Sequence, residues 1–265
     1  MNHPSDHHQH SRAAAADTAD ALTDAWERLS TAQTADLAAV ATRRRAELAK
    51  ALAQFTTALR AFQRTVDTAV RVLADRHLAA MYEAGATTAA TTLGTTFTWT
   101  SSHQHALRSL SADTYTDLLR HSQQTVRRAG QFHRAVRAAA RRQTPTALTG
   151  RTALQAAKTF ADQLAAAHPL DRIIYRSGAR MPVRAGAEAA TLARTAVAYN
   201  AGTLAVAREH GIRIVEVFDG YDCGWTSHPD PDKATRTLRT VEDAAQWPIS
   251  HPRCTRTFGL RPDVD

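Results

Sequence analysis

Two cysteines and two histidines near the C-terminus carry the clearest chemistry in this 265-residue chain. Cys223 is followed by His228 in the run CGWTSH, and His251 by Cys254 in HPRC. The pattern is C-x4-H, a spacer of 22 residues, then H-x2-C. Four soft or borderline ligands arriving as two close pairs suit a tetrahedral Zn²⁺, and a full set leaves no open coordination position. Such a zinc would fold the tail rather than catalyse. Gly224 and Pro252 stand beside the cysteines, where a tight knuckle needs unusual backbone angles. Trp225 and Trp247 are expected to pack around the ion. Three other readings of the same residues stay open: two buried apolar cysteines, a disulfide, or a catalytic Cys-His pair. The last lacks an oxyanion hole and a group to orient the base. Asp219 and Asp222 bracket Gly220-Tyr221 and read as turn residues.

A row of arginines is the second feature. No carboxylate occurs between Asp117 and Asp162, while Arg120, Arg127, Arg134 and Arg141 recur every seventh residue, with Arg137 beside them. On a helix that spacing holds one side, drifting by only ~20° per heptad. Guanidinium groups without counter-charges suit a phosphate backbone, which would make any DNA contact independent of sequence. The plainer alternatives are a solvated face, or a face paired with the acidic first helix through Asp17, Asp20, Asp24, Glu27 and Asp36.

The charge distribution agrees with that placement. Residues 1–40 hold two arginines against six acids, whereas residues 41–142 hold sixteen basic residues against six acids. The whole chain carries +8. No Walker-type loop, GxGxxG after a strand, GxSxG or HExxH is present, so no small-molecule substrate is evident. No run of 18 apolar residues occurs, which argues against a membrane span, and MNHPSDHHQHSR lacks the apolar core of a secretory signal.

Helices must position both features. Pro4 is the only proline before Pro145, and alanine supplies 55 residues. Residues 1–12, with four histidines, read as a disordered tail. A first helix starts near Ala13 with Leu22, Trp26, Leu29, Leu37 and Val40 on one face. Leu48, Leu52, Phe55, Leu59, Phe62, Val66, Ala69 and Leu73 then keep the 4-3-4-3 spacing of a long apolar seam, predicting a helix over 43–92. The run GTTFTWTSS breaks it, and Ser101 or Ser102 would cap a third helix over 103–142. Tyr115, Leu119, Val126, Ala129, Val136 and Ala140 share a face there; His133 lies on it as a packed residue without a role. Residues 13–145 therefore read as a long-helix hairpin or bundle. Pro145 and Gly150 mark its end. Residues 146–265 read as a small α+β module: helices over 150–167 and 183–209, a hairpin over 172–183, a strand over 212–219, and loops broken by a short helix near 240–247.

Several ordered motifs in that second half bear a likeness. They are Asn200-Ala201-Gly202 near a helix end, Gly211-Ile212-x-x-Val215 leading into a strand, an Asp-Gly before the first cysteine, and a closing His251-Pro252-Arg253-Cys254. In these, residues 172–262 resemble the phage minor head, or head-morphogenesis, proteins of the Mu F-like type, closest to short forms from actinobacterial phages and prophages. Relatives often have Cys-x-x-Cys where this chain offers Cys223 and His228, and often close with a further cysteine where it has Arg256. The resemblance implies a few-copy structural protein of the virion head. It would join the procapsid in the host cytoplasm, contact portal and capsid or scaffold proteins, and touch packaged DNA. A capsid maturation protease or zinc hydrolase is the first alternative, though no protease arrangement of Ser-His or Cys-His supports it. A host-encoded nucleic-acid-binding module is the second. The fold class expected is mainly α, an elongated helical bundle followed by an α+β module stapled by zinc.

Overall fold

The seam of Leu48, Phe55, Phe62 and Val66 becomes the buried face of helix α2 (Arg45–Val72) in the computed structural model. The structure describes residues 4–42, 45–142, 151–174, 180–219 and 236–264. It is mainly helical. Helix α1 (Pro4–Thr42) precedes α2, and a single π-helical turn, Leu73–His77, joins α2 to α3 (Leu78–Thr92). Together they form the one long helix that the spacing predicts. Within the π turn the Leu78 amide donates to Leu73, and the Ala74 carbonyl accepts from Ser111 Oγ at 2.8 Å. Helix α3 ends at Gly94, whose φ of +69° lets the Thr95 amide reach back to the Ala90 carbonyl at 2.9 Å.

Helices α4 (Ser101–Arg142), α5 (Arg151–Ala167) and α6 (Val183–Glu209) follow at the places expected, as does the antiparallel pair β1 (Ile173–Ile174) and β2 (Arg180–Met181). Strand β3 (Ile214–Phe218) is the centre of an antiparallel sheet in the order β4-β3-β5. Its neighbours β4 (Leu238–Thr240) and β5 (Thr257–Leu260), with α7 (Val241–Gln246) between them, occupy sequence that reads mostly as loop. Three- and four-residue strands are too short to show a period of two.

Two boundaries differ from expectation. Helix α1 begins at Pro4 rather than near Ala13, because proline is tolerated in a first helical turn and Ser11, Ala14 and Ala15 are buried. Helix α4 begins at Ser101, and Thr100, not either serine, accepts the His103 amide with its hydroxyl at 3.4 Å.

A division along the chain near residue 145 is also replaced. Two compact units each draw on separated stretches. The first comprises residues 1–19, 70–116 and 187–265; the second comprises 20–69 and 117–186. In the first, Val215, Val217, Phe258 and Leu260 of the sheet and Val241 and Ala244 of α7 form one core with Ala86, Ala89 and Ala90 of α3 and Leu204 and Ala207 of α6. In the second, Trp26 meets Phe62 edge-on at 4.5 Å, and Phe55 packs on Phe132 at 5.2 Å. Gln33 Nε2 there donates to the His168 carbonyl at 2.6 Å.

Candidate functional site

Half of the proposed metal set lies among the described residues. The Cys254 amide donates to the His251 carbonyl at 2.9 Å, so His251-Pro252-Arg253-Cys254 closes a tight turn that holds both ligands. The Arg253 amide donates to His251 Nδ1 at 3.3 Å, a bond that leaves the ring proton of a neutral imidazole on Nε2. Cys254 is a buried thiol. The turn brings two of the four proposed ligands close in the chain. Cys223 and His228 fall outside the described residues, as do Trp225 and Asp222. Among the described residues no three histidine, cysteine or carboxylate groups converge on a metal position. Trp247 follows α7 and uses its carbonyl to accept from Arg256 Nη1 at 3.2 Å.

The residues around that turn are fastened by a polar cluster that sequence reading did not anticipate. Asn200, fully buried in α6, donates from Nδ2 to the carbonyls of Pro248 (2.8 Å) and Arg256 (2.9 Å). Arg256 is buried and donates from Nε to Asp219 Oδ1 at 2.6 Å. Asp219 is thus the partner of a buried guanidinium and not a mere turn residue. Its carbonyl accepts from Thr255 Oγ1 at 2.9 Å. These contacts pair buried polar groups that would otherwise cost stability. The described strands of the tail also pack into the apolar core they share with α3 and α6.

A second hydrogen-bonded chain lies at the other end of α6. Tyr82 Oη contacts His103 Nδ1 at 2.8 Å, and His103 Nε2 contacts Glu209 Oε2 at 2.9 Å. Thr100 Oγ1 donates to Glu209 Oε1 at 3.0 Å. Burial works against the Glu209 carboxylate, but hydrogen bonds from His103 and Thr100 hold its pKa below the usual value. Burial, with the Glu209 charge, pushes the Tyr82 phenol up to about 12. Tyr82 and His103 are 0% and 1% exposed, so no substrate reaches them. The chain fastens the aromatic segment of Phe97 and Trp99, which packs on the His103 ring. Nothing in the SSHQH run after the helix break hints at this in the sequence.

The arginines of α4 fall where the heptad spacing puts them. Ser122, Thr125, Ala129, Phe132, Val136 and Ala139 form the buried seam, so Arg127 and Arg134 lie opposite it. Arg120, Arg127, Arg134, Arg137 and Arg141 are all exposed. Arg120 sits 3.5 Å from Asp117. Among the described residues no carboxylate lies within ion-pair distance of Arg127, Arg134, Arg137 or Arg141. Among the acids of α1, Asp20 pairs with Arg184, Asp24 with Arg28, and Asp36 is buried. His133 stacks on Phe55 at 5.8 Å, and its pKa is lowered by burial and then by Arg137. It is a packed residue, as its position on the seam suggests.

Comparison with family models, curated proteins and solved structures finds no match to this chain. Among the described residues no helix is long and apolar enough to cross a membrane.

Proposed function

We propose that this chain is a structural assembly protein of a tailed-phage head, a minor head protein of the Mu F-like type placed near the portal. One observation carries the reading. The motif residues that resemble that family meet in space: Asn200 of the Asn-Ala-Gly element binds the backbone on both sides of the His-Pro-x-Cys turn, at Pro248 and Arg256. Gly202 of the same element lies against the Tyr82 backbone of α3. Motifs separated by about fifty residues therefore act as one structural unit, which is what a module selected for shape rather than for a reaction would need.

The role is non-enzymatic in this proposal. One Zn²⁺ held by Cys223, His228, His251 and Cys254 would add ligand-bond energy to the tail, and no chemical step passes through it. Portal and capsid or scaffold proteins are the partners. The exposed, uncompensated arginines of α4 support a further contact with packaged DNA, through phosphates and without base recognition.

Mass spectrometry of purified particles from the phage or induced prophage tests the reading. The chain should be present at a few copies per particle and should co-purify with the portal protein. Its absence from intact heads, with normal head assembly in a deletion strain, would overturn the proposal.

A further inference from the structure

A cavity of about 280 Å³ opens in the first unit, between α1, α3, α6 and the segment that leads into β5. Its wall chemistry is one-sided. Arg12, Arg253 and Arg256 line it, and among the described residues no carboxylate does. Arg256 is fully buried and held in place by Asp219 and the Trp247 carbonyl. Its guanidinium is a fixed hydrogen-bond donor whose charge Asp219 balances, and the excess positive charge comes from Arg12 and Arg253. Arg12 and Arg253 are exposed. Arg253 also reaches Glu188 at 3.9 Å, a long contact that engages one of its five donors. Met81, Leu192, Ala196 and the ring of Tyr199 supply apolar lining, and the Cys254 thiol also faces the cavity.

We infer that this cavity binds a carboxylate carried on an apolar group about the size of one amino-acid residue. Each half of the inference has its own ground. A concave site lined by cations of one sign concentrates anions, and the planar guanidinium fork matches a carboxylate with two parallel hydrogen bonds. The apolar wall gains only when an apolar group covers it, so an inorganic anion leaves half of the site unused. The volume excludes large ligands: a cavity of ~150 Å³ takes one benzene ring, so this one takes roughly a leucine or tryptophan residue with its terminal carboxylate. Two sources share that chemistry, the C-terminal residue of a polypeptide and a small free organic acid.

Titration of the full chain with three probes tests the site: N-acetylleucine, a hexapeptide ending in leucine with a free carboxylate, and the same hexapeptide as its C-terminal amide. The acid forms should bind at least about tenfold more tightly than the amide, since the charge-assisted bonds are lost in the latter. Tighter binding of the peptide acid than of N-acetylleucine assigns the site to a polypeptide end, and equal binding assigns it to a free acid. Arg12→Gln with Arg253→Gln, both at exposed positions, should reduce the preference for acid over amide. Ala196→Trp should fill the cavity and abolish binding of every probe. The inference is overturned if acid and amide bind alike, if no probe gives a saturable change, or if the arginine double variant keeps the full preference. Circular dichroism of each variant separates loss of the site from loss of the fold.

Discussion

Gly85 of α3 and Gly202 of α6 face each other across a crossing so close that neither position has room for a Cβ. A methyl group on Gly85 would fall on the Tyr199 carbonyl, and one on Gly202 on the Tyr82 carbonyl. The Thr203 hydroxyl, next along α6, donates to the Gly85 carbonyl at 3.3 Å. The two helices therefore meet backbone to backbone, and the crossing sets where Asn200 and Tyr82 stand. Gly202→Ala should push the helices apart and destabilise the first unit by about 1–3 kcal/mol or more, the usual range for overpacking. Urea unfolding with a native-like midpoint in Gly202→Ala would show that the crossing is looser than this.

The Arg256–Asp219 pair should behave as a buried ion pair. Arg256→Met leaves the Asp219 carboxylate without its guanidinium and should cost about 3–5 kcal/mol. Adding Asp219→Leu to that variant removes the stranded charge, and the double variant should recover part of the loss. Equal destabilisation in single and double variants would mean that packing, not charge, dominates there.

Asp36 gives a pH dependence with a definite sign. It is fully buried, neither carboxylate oxygen has a hydrogen-bond partner, and burial raises its pKa from 3.8 to about 7. A raised carboxyl pKa means that the fold prefers the protonated form. Its contribution is therefore full below pH 3.8 and declines as pH rises towards 7, with a total cost on the order of 2–4 kcal/mol. Asp36→Asn should remove that decline. Melting of both proteins from pH 5 to pH 8 checks it: the gap in favour of the variant should widen with pH, and parallel curves would refute it.

The α4 arginines predict a salt dependence. If Arg127, Arg134, Arg137 and Arg141 each neutralise a phosphate, log affinity for duplex DNA should fall with log salt at a slope of about −3.6. Arg127→Gln with Arg134→Gln should reduce the slope by about 1.8 without creating a sequence preference. Filter binding at low salt that detects nothing would remove the DNA role, and unchanged melting of the variant would confirm that these arginines carry no structural ion pair.

Zinc makes a separate prediction. Protein purified without chelator should contain one equivalent, and Cys254→Ser should lower that content. Because the sheet has an apolar core, chelation should lower the melting temperature yet leave most helical signal intact. Metal content below ~0.2 equivalents in well-folded protein would exclude the site.

The helices were legible because their signals are local. Proline is missing from most of the first half, and Leu48, Phe55 and Phe62 repeat at helical spacing, so α2 and α3 need no tertiary information. The same holds for β3, which lies within the alternating run IRIVEVFD, and for the exposed row of α4 arginines. The His251–Cys254 turn was legible as a motif, although its other two ligands lie outside the described residues. What sequence could not supply was pairing between distant residues. Nothing local distinguishes Asp219, which holds Arg256, from a turn aspartate, or Glu209, which holds His103, from a helix-end glutamate. Strands β4 and β5 exist only because β3 offers them a ladder of hydrogen bonds. The grouping into two units likewise depends on which faces bury each other. Local chain stiffness and periodicity are written in neighbouring residues, whereas desolvated charges and close helix crossings are decided by whatever the completed fold places beside them.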